Sequence, residues 1–223
     1  MQFPNAASGS KKIFTGEILM LIVAILSGIT LIVGVVGAAK ALELAAAGGD
    51  VSGMAIGGIA ALGAIGIAVL IISLIALILT IVGVASCSKD EPMFKSVLFI
   101  FVASLVVAVI SGFVSNTTAK GVLGIVNDLF SLISTIMMIG GFNSLADKLG
   151  NDSVRNTGNS ILKILIVLIL GQLIIRIIMN FFGATAVGTT VAAVLGVILL
   201  ALAVIQYFMY LAYLAKAKNM LNA

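Results

Sequence analysis

Six long apolar segments divide the chain, and short polar stretches separate them. The apolar cores run through residues 18–39, 54–84, 97–114, 122–142, 161–182 and 186–214. A helix needs about 20 apolar residues to cross a bilayer, so each segment is long enough. The apolar runs are continuous rather than alternating with a period of two, which favours helices over a β-barrel. The pattern therefore predicts an all-α, polytopic membrane bundle of six transmembrane helices, arranged as three sequential hairpins.

The connections between these segments are short, so residues 1–223 are predicted to form a single transmembrane domain with no soluble domain. The second and sixth segments exceed the usual length of a span, so they must tilt or protrude past the headgroups. The longest connection is residues 143–160, which we expect to be a solvated connector. It has room for a short surface helix over residues 144–149, and a docking site for a partner is the alternative to a connector. At the start of helix four, Thr118 is the expected N-cap.

The composition agrees with a lipid environment, and it lacks the residues on which most catalytic and metal sites depend. Hydrophobic residues make up 62% of the chain and charged residues 9%, whereas soluble domains carry about 25% charged residues. There is no His, and Cys87 is the single cysteine. A disulfide within the chain is thus excluded, and the commonest general base and metal ligand are missing. We expect no enzyme activity, no catalytic or metal site and no cofactor.

The distribution of basic residues predicts the orientation. Nine of the twelve lie on the side that holds both termini, two (Lys40 and Lys120) lie on the other side, and Arg176 lies within a span. By the positive-inside rule, both termini are predicted to be cytoplasmic in a multi-pass protein of the inner or plasma membrane. Membrane lipids are the expected partners. The basic residues are scattered, so no nucleic-acid partner is expected.

Asp128 and Arg176 are the two charges that lie deep inside the spans. Counting from the helix ends places both at nearly equal depth in the outer half of the membrane. Polar or small residues share a helix face with each charge: Gly121, Gly124, Ser131 and Thr135 with Asp128, and Gln172, Asn180 and Gly183 with Arg176. Charges in a bilayer are costly unless paired, so we expect these two to meet. The pair is either a pin that fixes helix packing or part of a translocation pathway. Alternatively, Arg176 extends outward to lipid phosphate.

Helices one and two carry small residues at a spacing of four. Gly34 and Ala38 form one such pair, and Gly53, Gly57 and Ala61 form a second series. Small residues at this spacing let helix backbones approach closely in a membrane. They predict tight packing, either within the first hairpin or between copies of the chain.

Three tyrosines, Tyr207, Tyr210 and Tyr213, lie near the end of helix six. That position matches the aromatic belt of membrane proteins, so they are predicted to be interfacial anchors.

These features favour a non-enzymatic structural, scaffold or accessory membrane protein that self-associates through small-residue helix faces. A homo-oligomer or another membrane protein would then be the partner. The alternative is a small channel or transporter for an ion, proton or small solute, using the polar stripe around Asp128 and Arg176. A membrane enzyme that acts on lipid is the weakest of the three hypotheses.

Overall fold

The computed structural model describes residues 2–47, 52–182 and 186–223 and is built from six helices. They are α1 (Pro4–Ala46), α2 (Ser52–Cys87), α3 (Met93–Phe113), α4 (Thr117–Lys148), α5 (Asp152–Phe182) and α6 (Ala186–Asn222). Each contains a stretch long and apolar enough to cross a membrane. The predicted all-α fold with six membrane-spanning helices is confirmed.

The chain divides into two compact units. One unit is Lys12–Val82, which contains most of α1 and α2. Within it, a Cβ atom at Gly16 would lie 2.5 Å from Thr80 Oγ1 and 3.0 Å from the Ala76 carbonyl oxygen. Glycine is needed here because the two helices approach each other too closely for a side chain.

The other unit combines Met1–Lys11 with Gly83–Ala223. In it α3 packs on α4, α4 on α5, and α5 on α6. Its largest fully buried side chains cluster towards the end that holds both termini: Phe94, Ile139, Phe142, Leu145, Ile161, Tyr213 and Leu214. The Phe142 ring meets Phe94 edge-on at 5.0 Å and Tyr213 at 6.4 Å. This aromatic row is the centre of the core.

The exposed surface of α5 changes from polar to apolar at Lys163. Ser153, Asn156 and Ser160 are exposed before it, whereas Ile166 and the exposed residues that follow are apolar. The polar part, from Asp152 to Lys163, is about 18 Å long at 1.5 Å per residue. On α3 the same change lies between Lys95 and Phe99, which is 76% exposed. These positions mark where the helices leave the apolar layer.

Beyond this level the helix ends form a packed layer, which we call the helical cap: residues 2–11, 83–97, 138–163 and 210–223. It holds nearly all the fully buried large side chains of the unit. Water supplies a hydrophobic force and lipid does not. Because only water supplies this force, we expect a dense core in the cap and exposed apolar residues along the spans.

The expectation of a long solvated connector over residues 143–160 is wrong, because α4 continues to Lys148 and α5 begins at Asp152. Gly150 has a φ of 65°. The Asn151 N–H donates to the Ala146 carbonyl at 2.8 Å, and the Gly150 N–H donates to the Asp147 carbonyl at 3.1 Å. These two bonds form a Schellman motif, which ends a helix at a left-handed glycine.

The next helix begins at once, because the Asn151 side chain accepts the Val154 N–H at 3.1 Å and so caps α5. Asn116 plays the same part for α4: its Oδ1 accepts the Ala119 N–H at 3.1 Å. The expected N-cap, Thr118, lies instead within the first turn.

Candidate functional site

The polar stripe of α4 lies on the outer surface of its unit. Gly121, Gly124, Asp128 and Ser131 are exposed, and Thr135 is half-buried. No described atom lies within 4 Å of a Cβ placed on Gly121 or Gly124. These residues form an exposed polar face of α4, which we call the α4 stripe, and no described atom covers its two glycines.

Counting from the level where the exposed surface of α5 becomes apolar gives the depth at which Asp128 would lie in a bilayer. Asn143 Nδ2 on α4 donates to Asn159 Oδ1 on α5 at 3.1 Å, which sets the register of these antiparallel helices. Ile139 of α4 is therefore opposite Lys163 of α5, where the exposed surface becomes apolar. Asp128 lies eleven residues farther along, about 16 Å deeper. The apolar core of a bilayer is about 30 Å thick, so this depth is close to its centre.

The same register places the α5 backbone at Arg176 opposite Ile125–Asn127 of α4, within about 3 Å of the depth of Asp128. The side chains of Gln172, Arg176 and Asn180 lie outside the described residues. Among the charged side chains that are described, none forms an ion pair with Asp128. The contact between Asp128 and Arg176 stays a prediction.

The residue next to Asp128 makes a contact that the sequence reading missed. Ser104 Oγ of α3 donates to Asn127 Oδ1 of α4 at 2.6 Å, and Asn127 is half-buried. Successive residues on a helix point about 100° apart. Fixing Asn127 against α3 thus turns Asp128 away from α3 and onto the outer surface.

The predicted small-residue faces fall only partly within the described side chains. No described atom lies within 4 Å of a Cβ placed on Gly34, and Gly37 and Gly63 are equally open. The other members of the two series, Ala38, Gly53, Gly57 and Ala61, have side chains outside the described residues. Their packing role stays a prediction.

The structure places two of the three tyrosines differently from the expectation of interfacial anchors. Tyr213 is fully buried and Tyr210 is 5% exposed, whereas Tyr207 is half-buried. Tyr210 donates to Met138 Sδ at 3.0 Å. The end of α6 packs against α4 in the cap, so these two side chains contact protein.

Tyr213 and Asn143 form a buried polar network in the cap. The Tyr213 hydroxyl lies 2.9 Å from Asn143 Oδ1 and 3.0 Å from the Ile139 carbonyl oxygen. Asn143 is 9% exposed and binds Asn159 with its amide nitrogen. Gly158 leaves room for this side chain, because a Cβ there would overlap it. The network ties α4, α5 and α6 together, and its polar atoms satisfy one another.

Two neighbouring acids in the link between α2 and α3 fasten two other helix ends. The Asp90 carboxylate accepts the Ala6 N–H at 2.7 Å and Asn5 Nδ2 at 2.9 Å, so it caps the start of α1 from outside. Glu91 Oε2 accepts Lys148 Nζ at 2.6 Å and Ser144 Oγ at 2.9 Å.

Glu91 remains charged despite its burial. Loss of hydration alone would raise the pKa of this carboxyl group, but the hydrogen bonds from Lys148 and Ser144 outweigh it and lower the pKa. The sequence shows Lys89-Asp90-Glu91-Pro92 as a polar link, yet it gives no sign of which helix ends the two acids contact.

Among the described residues, no group of three or more His, Cys, Asp or Glu side chains is arranged to hold a metal ion. Cys87 is buried, and its Sγ lies 3.7 Å from the Ala6 carbonyl oxygen. No protein-family model, curated protein or solved structure matches this chain.

Proposed function

We propose that the protein is a self-associating structural component of a membrane, whose copies meet through the α4 stripe. The observation that carries this proposal is the exposure of Gly121, Gly124, Asp128 and Ser131 on one face of α4. Within a single chain that face would border on lipid.

The cost of a charge in lipid argues for a protein partner at this face. A charged residue at the centre of a membrane helix costs at least about 2.5–3.5 kcal/mol. A second copy lowers that cost if it brings polar atoms to Asp128. A twofold interface uses the same surface on both copies, so self-association would place the α4 stripe of one copy against the α4 stripe of the other.

Glycines on the stripe support close contact between helices. Gly121 and Gly124 lie one turn apart with nothing described above them. In lipid, helices associate through van der Waals packing and hydrogen bonds, and small residues allow both. The open positions Gly34, Gly37 and Gly63 extend the same argument to α1 and α2.

We place both termini in the cytoplasm and the protein in the inner or plasma membrane. The support is the nine-to-two division of basic residues, because Lys12 and eight basic residues of the cap lie on one side: Lys11, Lys89, Lys95, Lys148, Arg155, Lys163, Lys216 and Lys218.

Disulfide crosslinking in the membrane tests the interface. Because Cys87 is the single cysteine, Cys87→Ala gives a background without thiols. Ser131→Cys in that background should form a covalent dimer on oxidation. Val106→Cys, which is exposed on α3 at nearly the same depth, is the matched control and should remain monomeric. Equal crosslinking at the two positions, or none at Ser131, would refute the proposed interface.

A conduction path between copies is the second candidate function. Asp128 and Ser131 would line the junction if two α4 stripes faced each other. Proton or cation flux into liposomes that contain the protein, abolished by Asp128→Asn while Ser131→Cys crosslinking persists, would favour transport over a purely structural role.

A further inference from the structure

Lys95 and Lys163 differ from the other cations whose contacts the structure describes in the cap. Lys148 pairs with Glu91 and Arg155 pairs with Asp147. Lys95 and Lys163 are both exposed, and neither has an ion pair among the described side chains. Lys89 is also exposed without an ion pair, but it lies in the link between α2 and α3 rather than on a helix. Lys95 and Lys163 therefore lie on α3 and α5 with charges available to a partner from outside the chain.

These two lysines lie at the same level of the fold. Phe94 meets Phe142 edge-on and borders Gly141, so Lys95 of α3 lies at the level of residues 140–141 of α4. Lys163 lies at the level of Ile139 by the register of α4 and α5. The two levels differ by about 3 Å. This common level is where the exposed surface changes from polar to apolar.

Below each lysine runs a line of exposed apolar side chains on the same helix face. Under Lys95 it consists of Phe99, Val102, Val106 and Val109, which are 50–76% exposed. Under Lys163 it consists of Ile166, Val167, Leu170 and Ile174, which are 50–55% exposed. From Phe99 to Val109 the line on α3 rises ten residues, or about 15 Å, which is about half the thickness of the apolar core of a bilayer.

A cation at the end of a long apolar line matches the chemistry of an anionic phospholipid. We propose that Lys95 and Lys163 each bind the phosphate of an anionic phospholipid, whose acyl chain lies along the apolar line below. The lysine stem lies along apolar surface while its ammonium group reaches the headgroup level. Attraction of this kind favours an anionic lipid about fivefold per lysine.

Fluorescence quenching can test each site by itself, because the chain contains no Trp. Phe99→Trp places a single reporter one turn below Lys95, and Val167→Trp does so below Lys163. The probes are vesicles that contain brominated phosphatidylglycerol or brominated phosphatidylcholine. We expect the anionic lipid to displace the zwitterionic one from either reporter with about a fivefold preference.

Charge removal should abolish the preference only at the reporter beneath the changed lysine. Lys95→Gln should abolish it at Phe99→Trp and leave it at Val167→Trp, and Lys163→Gln should do the reverse. Lys216→Gln is the matched control: Lys216 contacts Thr157 at 3.3 Å, about 9 Å farther from the apolar layer than Lys163. It should leave both preferences unchanged.

Three outcomes would overturn the proposal. They are equal quenching by the two lipids, an unchanged preference in the lysine variants, and loss of preference when inorganic phosphate is added. The last would assign the sites to a free anion. Self-association through the α4 stripe is measured by crosslinking, so the two proposals can fail separately.

Discussion

Whether a polar side chain is buried or exposed in this protein depends on its neighbours more than on its residue type. Asp128 and Glu91 are both acids, yet Asp128 is exposed near mid-membrane and Glu91 is buried against Lys148. Burial is tolerated where the charge receives hydrogen bonds, and exposure is tolerated in lipid only if a partner covers the charge. Tyr213 and Asn143 follow the same rule in the core of the cap.

Removal of the Tyr213 hydroxyl should weaken the cap without a change in shape. Tyr213→Phe takes away the group that meets Asn143 Oδ1 and the Ile139 carbonyl oxygen. We expect the free energy of unfolding to fall by about 1–3 kcal/mol, the cost of buried polar atoms left without partners. Thermal or denaturant unfolding in detergent measures it. Tyr207→Phe, at a half-buried tyrosine, should cost less; an equal loss would contradict the role of the network.

The sequence predicts the depth of Asp128 but not the direction in which it points. Counting 1.5 Å per residue from Lys120 gives a depth of about 12 Å, in the outer half of the membrane, and the register of α4 with α5 gives a level near the centre. Direction depends on which face of α4 meets α3, and that is decided by contacts such as Ser104 with Asn127. Those residues are ordinary polar residues in the sequence, so nothing there indicates that they pair.

At the scale of helices, the apolar spans were predictable and the cap was not. Hydropathy identifies residues that lipid can surround, and the polar residues of 143–160 interrupt that signal. A helical spacing nevertheless continues through Ile139, Phe142 and Ala146, which are all buried. Amphipathic periodicity, rather than total hydrophobicity, was the signal that would have extended α4 and α5.

The turn between α4 and α5 depends on a left-handed glycine. Gly150→Ala places a Cβ at a φ of 65°, which costs about 1 kcal/mol for residues other than glycine. Unfolding measurements should show a loss of that size. Gly28→Ala is the control, since it lies within α1 with open space around it, and alanine favours a helix by about 1 kcal/mol. A stable Gly150→Ala protein would mean that the Schellman motif is dispensable.

The link between α2 and α3 should make cap stability dependent on acid. The pKa of Glu91 is lower in the folded protein than its ordinary value of about 4.3. Its stabilisation is therefore complete above the ordinary pKa and is lost as the pH falls through the lower folded pKa. Glu91→Gln should reduce this acid dependence and lower stability at neutral pH by about 1–2 kcal/mol, since Lys148 is partly exposed.

The matched control for Glu91→Gln is a substitution in an exposed ion pair of the same cap. Asp147 and Arg155 lie 3.2 Å apart, with about half of each side chain exposed. Surface pairs contribute less than about 1 kcal/mol, so Asp147→Asn should change unfolding little at neutral pH. Unfolding followed against pH for both variants separates the buried contact from general acid effects. Equal responses would rule out a special role for Glu91.

At the scale of the whole molecule, the surrounding solvent determines which parts of the helices bury their side chains. Lipid surrounds apolar side chains on the spans, whereas water drives Phe94, Phe142 and Tyr213 together in the cap. Charge follows the same division, because cations gather at the cap end and Lys120 lies at the opposite end of α4. The cap end should consequently be the side that the positive-inside rule keeps in the cytoplasm.

Labelling of single cysteines in the Cys87→Ala background tests this orientation. Gln2→Cys, Asn222→Cys and Lys120→Cys each add one thiol at an exposed or half-buried position of a helix end or terminus. A maleimide that cannot cross membranes should label the Lys120 position in intact cells. It should label the two terminal positions only after permeabilisation, because an even number of spans keeps both termini on one side. Labelling of either terminus in intact cells would contradict the six-span topology or its direction. If both termini and the Lys120 position were labelled together, at least one of α1–α3 and one of α4–α6 would not cross the bilayer, and the depth assigned to Asp128 would have to be abandoned.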